Sequence, residues 1–546
     1  MNYKLRNLGL ASVCSVSMTA MLAMPVGAAA APPPLEIDWG LSSAFTRNFN
    51  PFSTSKMNVT SEMYEPLFYF DPLAPKVEPL LGIRFAWSNH NTVLTAFLRK
   101  NVKWSNGSAF TAKDVVFTFA MLKKYPQMDT SGVWTKLASV TSPNSYTVTF
   151  HFKTADVPFD YYVLGQTPIV PKAIWGKLVG NPLNFLNSHP VVSGPYVLKT
   201  FSTQEVTMTP NMHYWAGKPK VPVLKVPIFT GNTAVVPALQ SGAIGWGVSF
   251  EPNIQKLYVA GKAKYYHYWY AAASPVVLMP NLTNSLLKQL VVRRAISEAI
   301  NRQKLNRLAD SGYQPPANPT LLSYTNADQA RWIDRRLPKA DLHYQYNPRA
   351  AVRLLTNAGF KRNRAGVFIS PKGKPLSFTL LAQSGYTNTD AADALIASEL
   401  ATIGIHISVI TVTPAEAIAD EIRGNFQLVN TGVGAAGPTP YTMYNNAFGP
   451  LVTAGNYERW ESPLMQTLLK EFSVTTNLSK ERSLVNRMEM LVATELPVIG
   501  LSRGPYWYEY STKHYVGFPT PNNPYAVGSL WAYPAAAVVL SHLRVK

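Results

Sequence analysis

The sequence has 546 residues, 47% hydrophobic and 15% charged, which predicts a globular chain of two or three domains. Its one cysteine, Cys14, lies in the N-terminal segment, which excludes disulfide scaffolds, thiolate metal sites and cysteine nucleophiles from the rest of the chain. The net charge is +20, but the basic residues are scattered rather than clustered, which argues against nucleic-acid binding.

The N-terminal segment has the pattern of a secretory signal peptide, predicted over residues 1–30. Lys4 and Arg6 form a short basic region, and an apolar stretch and an alanine run follow. We expect export by the Sec route to the periplasm or another extracytoplasmic compartment. Small polar residues dilute the apolar stretch, which favours its removal over a retained anchor. Val13 precedes Cys14 and more apolar chain follows, a pattern that argues against a lipid anchor.

The first strongly patterned segment after the leader is Leu98–Phe119. A strand-like run ends at Arg99, and a polar Asn106–Gly107 turn follows. Thr111 stands three residues before Asp114, as an N-cap does at the start of a helix. The segment predicts a strand, a turn and a helix, and it contains no catalytic pattern.

Further strands and helices alternate irregularly along the chain. Strands are predicted over Tyr146–Phe152, Gly194–Phe201, Ile405–Ile410 and Thr411–Thr413, and helices over Ala112–Lys124, Val291–Leu308, Pro348–Gly359, Ala391–Ile403 and Pro414–Arg423. Asn347 is the expected N-cap of the third of these helices, and Gly359 its terminating residue. The irregular alternation predicts mixed α/β domains rather than a barrel of regular units.

Motifs spread over some 450 residues resemble those of one family. They are Asn50–Ser53, Tyr64–Leu67, Leu98–Phe119, Ser193–Leu198, Asn211–Pro219, Leu239–Ile244, Val292–Arg302 and Tyr346–Phe360. In these segments the chain resembles the peptide/nickel-type solute-binding proteins of ABC importers, known as bacterial extracellular solute-binding protein family 5. It departs from the family pattern at Gly245–Trp246 and at Asn301, where aspartate would stand.

The resemblance implies an α/β, two-lobed, periplasmic-binding-protein type II-like fold with an inserted subdomain, as in the three-domain cluster C solute-binding proteins. It implies a discontinuous lobe I over 32–57, 186–270 and 500–546, an inserted subdomain over 58–185, and lobe II over 271–499. Crossovers near Tyr270 and Ile499 would form the hinge for closure around a ligand.

The resemblance also implies a function and a set of ligand-binding residues. We expect the extracytoplasmic binding subunit of an ABC importer, a monomer that captures a small solute between its lobes and delivers it to permease and ATPase subunits. The expected ligand-binding residues are Phe45, Asn48, Trp246, Tyr270, Thr431, Gly432, Val433, Gly434, Tyr441 and Trp531. Core packing is the alternative explanation for each aromatic residue among them.

The predicted ligand is an oligopeptide. Dipeptide-binding relatives hold the two charged ends with an aspartate and an arginine, because an enclosed charge is costly without a partner. Here the segment 431–438 contains no acid, and Asp390 and Ala391 stand nearest to the position of the arginine. A zwitterionic dipeptide is therefore disfavoured. An oligosaccharide or another uncharged solute is the alternative ligand, and a ligand sensor or a hydrolase is the alternative from another class.

No pattern in the sequence predicts a catalytic residue, a metal site or a cofactor. Gly432–Gly437 reads GxGxxG after a strand, but Pro438 and Pro440 follow it where a dinucleotide site would need a helix. We expect a flexible glycine turn there. The nine histidines form no HExxH motif, and no GxSxG elbow is present.

Overall fold

Strands and helices alternate along the chain, as predicted for mixed α/β structure. The computed structural model describes residues 32–546 apart from 75, 325, 435–436 and 451–454. The predicted signal peptide over 1–30, with Cys14, lies outside the described residues. Pro33–Lys546 form one compact unit.

The strands have the following bounds. In chain order they are β1 (Leu35–Glu36), β2 (Phe68–Phe70), β3 (Val77–Pro79), β4 (Gly82–Ser88), β5 (Val93–Leu98), β6 (Leu137–Asn144), β7 (Thr147–Phe152), β8 (Tyr196–Phe201), β9 (Glu205–Pro210), β10 (Leu224–Pro227), β11 (Trp246–Gly247), β12 (Tyr266–Tyr268), β13 (Ala271–Pro280), β14 (Lys361–Arg362), β15 (Phe368–Ile369), β16 (Ser377–Gln383), β17 (His406–Val412), β18 (Leu428–Gly432), β19 (Ile499–Tyr506), β20 (Glu509–Ser511), β21 (Tyr515–Val516) and β22 (Arg544–Val545).

The helices connect and flank these strands. They are α1 (Ala112–Lys124), α2 (Val133–Lys136), α3 (Lys172–Trp175), α4 (Asn232–Ser241), α5 (Leu290–Ala299), α6 (Arg302–Leu308), α7 (Ala327–Ala330), α8 (Lys339–Leu342), α9 (Pro348–Asn357), α10 (Thr387–Thr402), α11 (Pro414–Arg423), α12 (Pro440–Phe448), α13 (Pro463–Ser473), α14 (Leu478–Glu495) and α15 (Ala535–His542). Within the described part of the chain, none of them combines the length and the apolar character that crossing a bilayer requires.

A five-stranded mixed sheet carries the second half of the fold, with the strand order β17-β16-β18-β13-β19. Alternate residues of its strands point to opposite faces. Val277, Met279 and Val429 pack in one apolar core with α12, α13 and α14. Leu278 and Leu428 pack in a second core with α5, α9 and α10. The sheet is therefore buried on both faces, which fixes the position of the chain that leaves β18.

Three other sheets share one large apolar core. Their strand orders are β1-β10-β9-β8, β11-β20-β12 and β4-β5-β7-β6. Leu94, Val206 and Trp246, one from each sheet, belong to this core. Two adjacent connections join these sheets to the five-stranded sheet, one from β12 to β13 and one from β19 to β20. Pairing of β19 with β13 continues to Tyr506, so the second connection lies beyond Ile499.

Local signals in the sequence set several helix ends. Thr111 and Asp114 form a capping box at α1, in which the Asp114 carboxylate accepts from the Thr111 N–H at 2.9 Å. The Asn347 side chain accepts from Ala350 N at 2.9 Å at the start of α9. Gly359 follows the end of that helix with a φ of 83°. These predictions are confirmed.

The single helix predicted over Val291–Leu308 was wrong, because the chain forms α5 and α6 with a break between them. Ile300 has extended backbone, and the Asn301 side chain caps α6 by accepting from Lys304 N at 3.0 Å. The buried Arg302 guanidinium donates to Gly500 O of β19 at 2.6 Å and to Ser297 O at 3.0 Å. These long-range bonds stabilise the break.

Candidate ligand-binding site

Two adjoining chambers lie where the five-stranded sheet meets the other sheets. The first has a volume of about 490 Å³ and the second a volume of about 850 Å³. The residues that line both chambers are Tyr161, Gln166, Gly432, Trp531 and Tyr533. A pocket for a drug-sized ligand measures about 300–1,000 Å³. The two chambers together exceed that range, which suits an elongated ligand.

The end of β18 offers main chain to the chambers at Gly432. Val433 N donates to Pro275 O at 3.0 Å, and β13 and β18 are antiparallel with Val276 opposite Gly432. In such a ladder alternate residues form the inter-strand bonds, so the Gly432 N–H and C=O point away from β13. A Cβ at Gly432 would meet nothing within 4 Å. The main chain here is therefore accessible to a ligand.

Trp531 is the large aromatic residue at the junction of the chambers. It lines both of them, and 46% of it is exposed. Its ring lies against Gly40, where a Cβ would approach Nε1 to 3.2 Å. An exposed indole face held in this way can stack on a ring or an apolar side chain of a ligand.

Amide and hydroxyl side chains supply most of the polar surface of the first chamber. They come from Gln166, Ser274, Gln314, Gln383, Asn388, Thr389, Asn430, Thr431 and Ser502. Asp310 is the one carboxyl group among the described lining residues, and it is 5% exposed. Burial raises the pKa of Asp310 to about 7. This wall suits hydrogen bonding to an uncharged ligand.

The second chamber has a basic side. Lys56 and Lys136 line it, and the Lys136 ammonium pairs with the buried Asp156 carboxylate at 2.7 Å. The Lys56 ammonium donates to Pro51 O at 3.0 Å. The two chambers therefore differ in charge.

Five of the residues predicted to bind ligand line the chambers. Thr431 lines the first chamber, Gly432 and Trp531 line both, and Val433 and Gly434 line the second. Four of them are the last two residues of β18 and the two residues that follow it. The glycine-rich segment and the tryptophan therefore come together in space, although about 100 residues separate them in the sequence.

The other five predicted residues do not line either chamber. Trp246 is fully buried, and its indole N–H donates to Gly528 O at 2.8 Å. Tyr441 is stacked on Phe472 in the core, with ring centroids 5.1 Å apart. Asn48 is buried and donates to Ser53 Oγ at 2.9 Å.

Phe45 and Tyr270 also lie outside the chambers and pack against the large apolar core. Phe45 is half-buried and packs against the large core. The Tyr270 hydroxyl donates to Glu509 Oε1 at 2.6 Å, and its ring meets Trp507 edge to face at 4.7 Å. Tyr270 therefore joins the two connections between the sheets.

Sequence reasoning missed Asp310 as a residue of the site. It follows α6 in an ordinary Ala309–Gly312 segment, and no local pattern distinguishes it from a surface acid. The interpretation of Gly432–Gly437 was partly wrong, because a helix does follow. Pro440 is the first residue of α12, a position where proline is favoured. In the described residues no cluster of His, Cys, Asp and Glu could hold a metal ion.

The comparison with known families decides the identity of the fold. The sequence model of the bacterial extracellular solute-binding proteins, family 5, middle region, matches residues 76–454. The chain belongs to this family. Its α/β architecture is the two-lobed fold of these binding proteins.

Individual relatives cover different shares of the chain. The oligopeptide-binding protein AppA of Bacillus subtilis is 27% identical over 322 residues, which are 57% of this chain and 56% of that protein. The chain spans between 56% and 66% of the length of the first curated relatives it matches.

Solved structures of the family match nearly the whole chain. A periplasmic oligopeptide-binding protein of Thermotoga maritima, solved with bound mannohexaose, is 26% identical and has a TM-score of 0.86, with 94% of this chain and 98% of that chain covered. Bacillus subtilis AppA in complex with a nonapeptide is 20% identical and has a TM-score of 0.78, with 94% and 100% covered. The second similarity concerns the fold alone.

Proposed function

We propose that this chain is the extracytoplasmic solute-binding subunit of an ABC importer. The observation that carries the proposal is the pair of adjoining chambers, which exceeds the size of a small-ligand pocket. The subunit binds an extended solute there and delivers it to a membrane permease, while a separate ATPase supplies the energy. The family and the predicted signal peptide support a location outside the cytoplasm.

The first candidate ligand is an oligopeptide. Curated relatives are named as oligopeptide-binding or putative peptide-binding proteins. Gly432 lines both chambers and its N–H and C=O point away from β13, so these groups can pair with the main chain of an extended peptide. Because such pairing does not depend on side chains, it supports binding of peptides of different sequence.

The second candidate ligand is an oligosaccharide. The Thermotoga relative that shares 26% of its sequence was solved with mannohexaose. Trp531 presents an exposed ring, and several amide and hydroxyl side chains line the first chamber. These groups match the ring faces and hydroxyls of sugars.

The proposal describes a binding protein and not an enzyme. The described lining residues include no histidine, and no serine of the first chamber bonds to a basic side chain. A hydrolase would need an activated nucleophile or an acid–base pair next to the ligand. A sensor subunit would use the same chambers but would act on a receptor instead of a permease.

Calorimetric titration of the purified protein tests this proposal. The panel contains peptides of three, six and nine residues and mannose oligomers of matching length. We expect at least one class to bind with a Kd of about 10 μM or less and to raise the melting temperature. At a ligand concentration of 100 Kd the stabilisation should be about 2.7 kcal/mol. Absence of binding across both classes, or turnover of a peptide or glycan, would contradict the proposal.

A further inference from the structure

Asp310 is an isolated acid in the wall of the first chamber. Its side chain lines that chamber and is 95% buried, with 5% exposed. Among the described lining residues of this chamber there is no lysine, arginine or histidine. A buried carboxylate without a cation is costly, so the group must be neutralised by a proton or by the ligand.

A chain of hydrogen bonds fixes which oxygen of Asp310 is free. Ser502 Oγ donates to Gln314 Oε1 at 3.0 Å, which turns the Gln314 amide nitrogen toward Asp310. That nitrogen donates to Asp310 Oδ1 at 2.8 Å, and Asn388 Nδ2 donates to the same oxygen at 3.3 Å. Both donors therefore meet Oδ1, and Oδ2 forms no hydrogen bond with a described residue.

This pattern accommodates a neutral carboxylic acid, and the burial of Asp310 without a lining cation favours that form. In the protonated group one oxygen accepts as a carbonyl and the other carries the proton as a donor. Oδ1 has the two amide donors that a carbonyl oxygen can accept. Oδ2 retains some accessible surface, and because Asp310 lines the chamber, a proton on Oδ2 is a donor available to a ligand there.

Among the described residues that line the first chamber, Asp310 is the acid that titrates between pH 5 and pH 9. The tyrosines that line the same chamber are Tyr69, Tyr161, Tyr386, Tyr506 and Tyr533. Burial raises the pKa of these phenols above the usual value, so they stay neutral below pH 10. On α10, Asp390 is exposed, and Asp393 is buried behind Asn430, whose amide donates to Asp393 Oδ1 at 2.8 Å. Asp393 does not line the chamber.

We propose that Asp310 is a specificity-determining residue that binds the ligand as a neutral carboxylic acid, with its Oδ2–H donating to an uncharged oxygen acceptor. A peptide carbonyl and a sugar hydroxyl share this acceptor chemistry. The inference rests on the proposed function and names the chemistry of one contact in the same site. A neutral Asp310 favours uncharged oxygen atoms of the ligand over ammonium groups at this position.

The proposal predicts that the affinity for an uncharged ligand decreases as the pH rises. Burial raises the pKa of Asp310 to about 7, so the binding form is nearly complete at pH 5. At pH 9 only about 1% of the free protein carries the proton, and the apparent affinity is reduced by that fraction. The Kd for an uncharged ligand should therefore rise about 100-fold between pH 5 and pH 9.

The test uses two uncharged probes, mannohexaose and an N-acetylated, C-amidated nonapeptide of uncharged residues. A third ligand is the same nonapeptide with a free α-amino group. Titrations at pH 5, 7 and 9 compare the wild type with Asp310→Asn, because asparagine keeps the carbonyl acceptor and a fixed N–H donor. We expect the variant to hold the low-pH affinity within about threefold at all three pH values. Asp310→Leu should bind at least tenfold more weakly at pH 5. Asp390→Asn, which removes an exposed charge on α10, should follow the wild-type profile.

Each outcome supports or overturns the inference. A flat wild-type profile, or an Asp310→Asn variant that keeps the pH dependence, overturns it and points to another group such as Asp393. Loss of binding in a folded Asp310→Asn protein at every pH shows that the carboxylate is required and also overturns it. Binding of the free-amine nonapeptide alone overturns the inference and leaves the proposed function standing. Absence of binding by all three ligands contradicts both the inference about Asp310 and the proposed function. Circular dichroism melts of each variant verify folding.

Discussion

At the scale of single residues, the two tryptophans of the predicted site have opposite roles. Trp531 is 46% exposed between the chambers, whereas Trp246 is fully buried and bonded to Gly528 O. Sequence alone could not separate them, because both stand in segments that resemble cleft-lining parts of the family. Only the distant partner of each ring decides which one lines the chambers.

Replacing Trp531 should weaken binding without unfolding the protein. We expect Trp531→Ala to raise the ligand Kd about 10-fold, because stacking contributes about 1–1.5 kcal/mol. The melting temperature should change little, because the ring is half exposed. Trp246→Phe is the control, and it should lower the free energy of unfolding by about 1–3 kcal/mol through the lost bond to Gly528. Equal effects of the two changes on Kd in calorimetry would contradict this division.

Two neighbouring glycines provide a second residue-scale prediction. Gly432 has extended backbone and open space, so Gly432→Leu should fill the junction of the chambers and raise Kd at least 10-fold at nearly wild-type stability. Gly434 has a φ of 61°, and a Cβ would lie 2.6 Å from Met443 O. Gly434→Ala should therefore lower the free energy of unfolding by about 1–2 kcal/mol. Urea unfolding and calorimetry of both variants check the contrast.

At the scale of elements, local signals predicted the ends of several helices well. Features that depend on long-range contacts could not be predicted from the sequence. α1 and α11 have the predicted bounds, because caps, a first-turn proline and Gly424 act within one turn. The break between α5 and α6 depends on Arg302 and a carbonyl of β19 that is 198 residues away. No window of local sequence contains that partner.

The two connections between the sheets supply the element-scale prediction. The Tyr270 hydroxyl on one connection donates to the buried Glu509 at the other. Tyr270→Phe leaves that carboxyl without its donor, so we expect the free energy of unfolding to fall by about 1–3 kcal/mol. Tyr268→Phe, which removes a hydroxyl that does not bond to Glu509, is the matched control. A stability equal to that of the control in urea unfolding would show that the bond does not join the connections.

At the scale of the whole molecule, acidic and basic residues are distributed differently. Among the residues that the structure describes, the buried basic residues are Arg293 and Arg302. The buried acidic residues of the same part of the chain are Asp38, Glu62, Glu65, Asp71, Asp114, Asp156, Glu251, Asp310, Asp393, Glu399, Glu421, Glu458, Glu489 and Glu509. Composition gave the net charge but could not show this partition. Many of these carboxyls lack a cation, so burial raises their pKa.

This partition predicts that the protein is most stable in acid. Burial raises the pKa of Glu62 to about 8 and that of Glu489 to about 8. In the unfolded chain these carboxyls ionise near their ordinary value, so the folded state binds more protons between about pH 4.5 and pH 8. The stabilisation is complete below that range and is lost as pH rises through 8. We expect the free energy of unfolding to be at least about 2 kcal/mol lower at pH 9 than at pH 5.

Glu62→Gln checks the cause of this dependence. Glutamine keeps an oxygen acceptor for the Trp39 indole, which donates to Glu62 Oε1 at 3.1 Å, and cannot ionise. The variant should be more stable than the wild type at pH 9 by about 1–3 kcal/mol and similar to it at pH 5. Glu416→Gln, on an exposed position of α11, should reproduce the wild-type profile. A wild-type stability that is flat or that rises with pH would contradict the explanation.

We propose that the two chambers hold an extended, uncharged oligomer. Native mass spectrometry of the protein, purified without denaturation and incubated with mannohexaose and the capped nonapeptide, measures this directly. We expect a one-to-one complex with at least one of them at pH 5, which Gly432→Leu weakens at least 10-fold. A spectrum with free protein alone at every ligand concentration, or a complex that Gly432→Leu leaves unchanged, would contradict it.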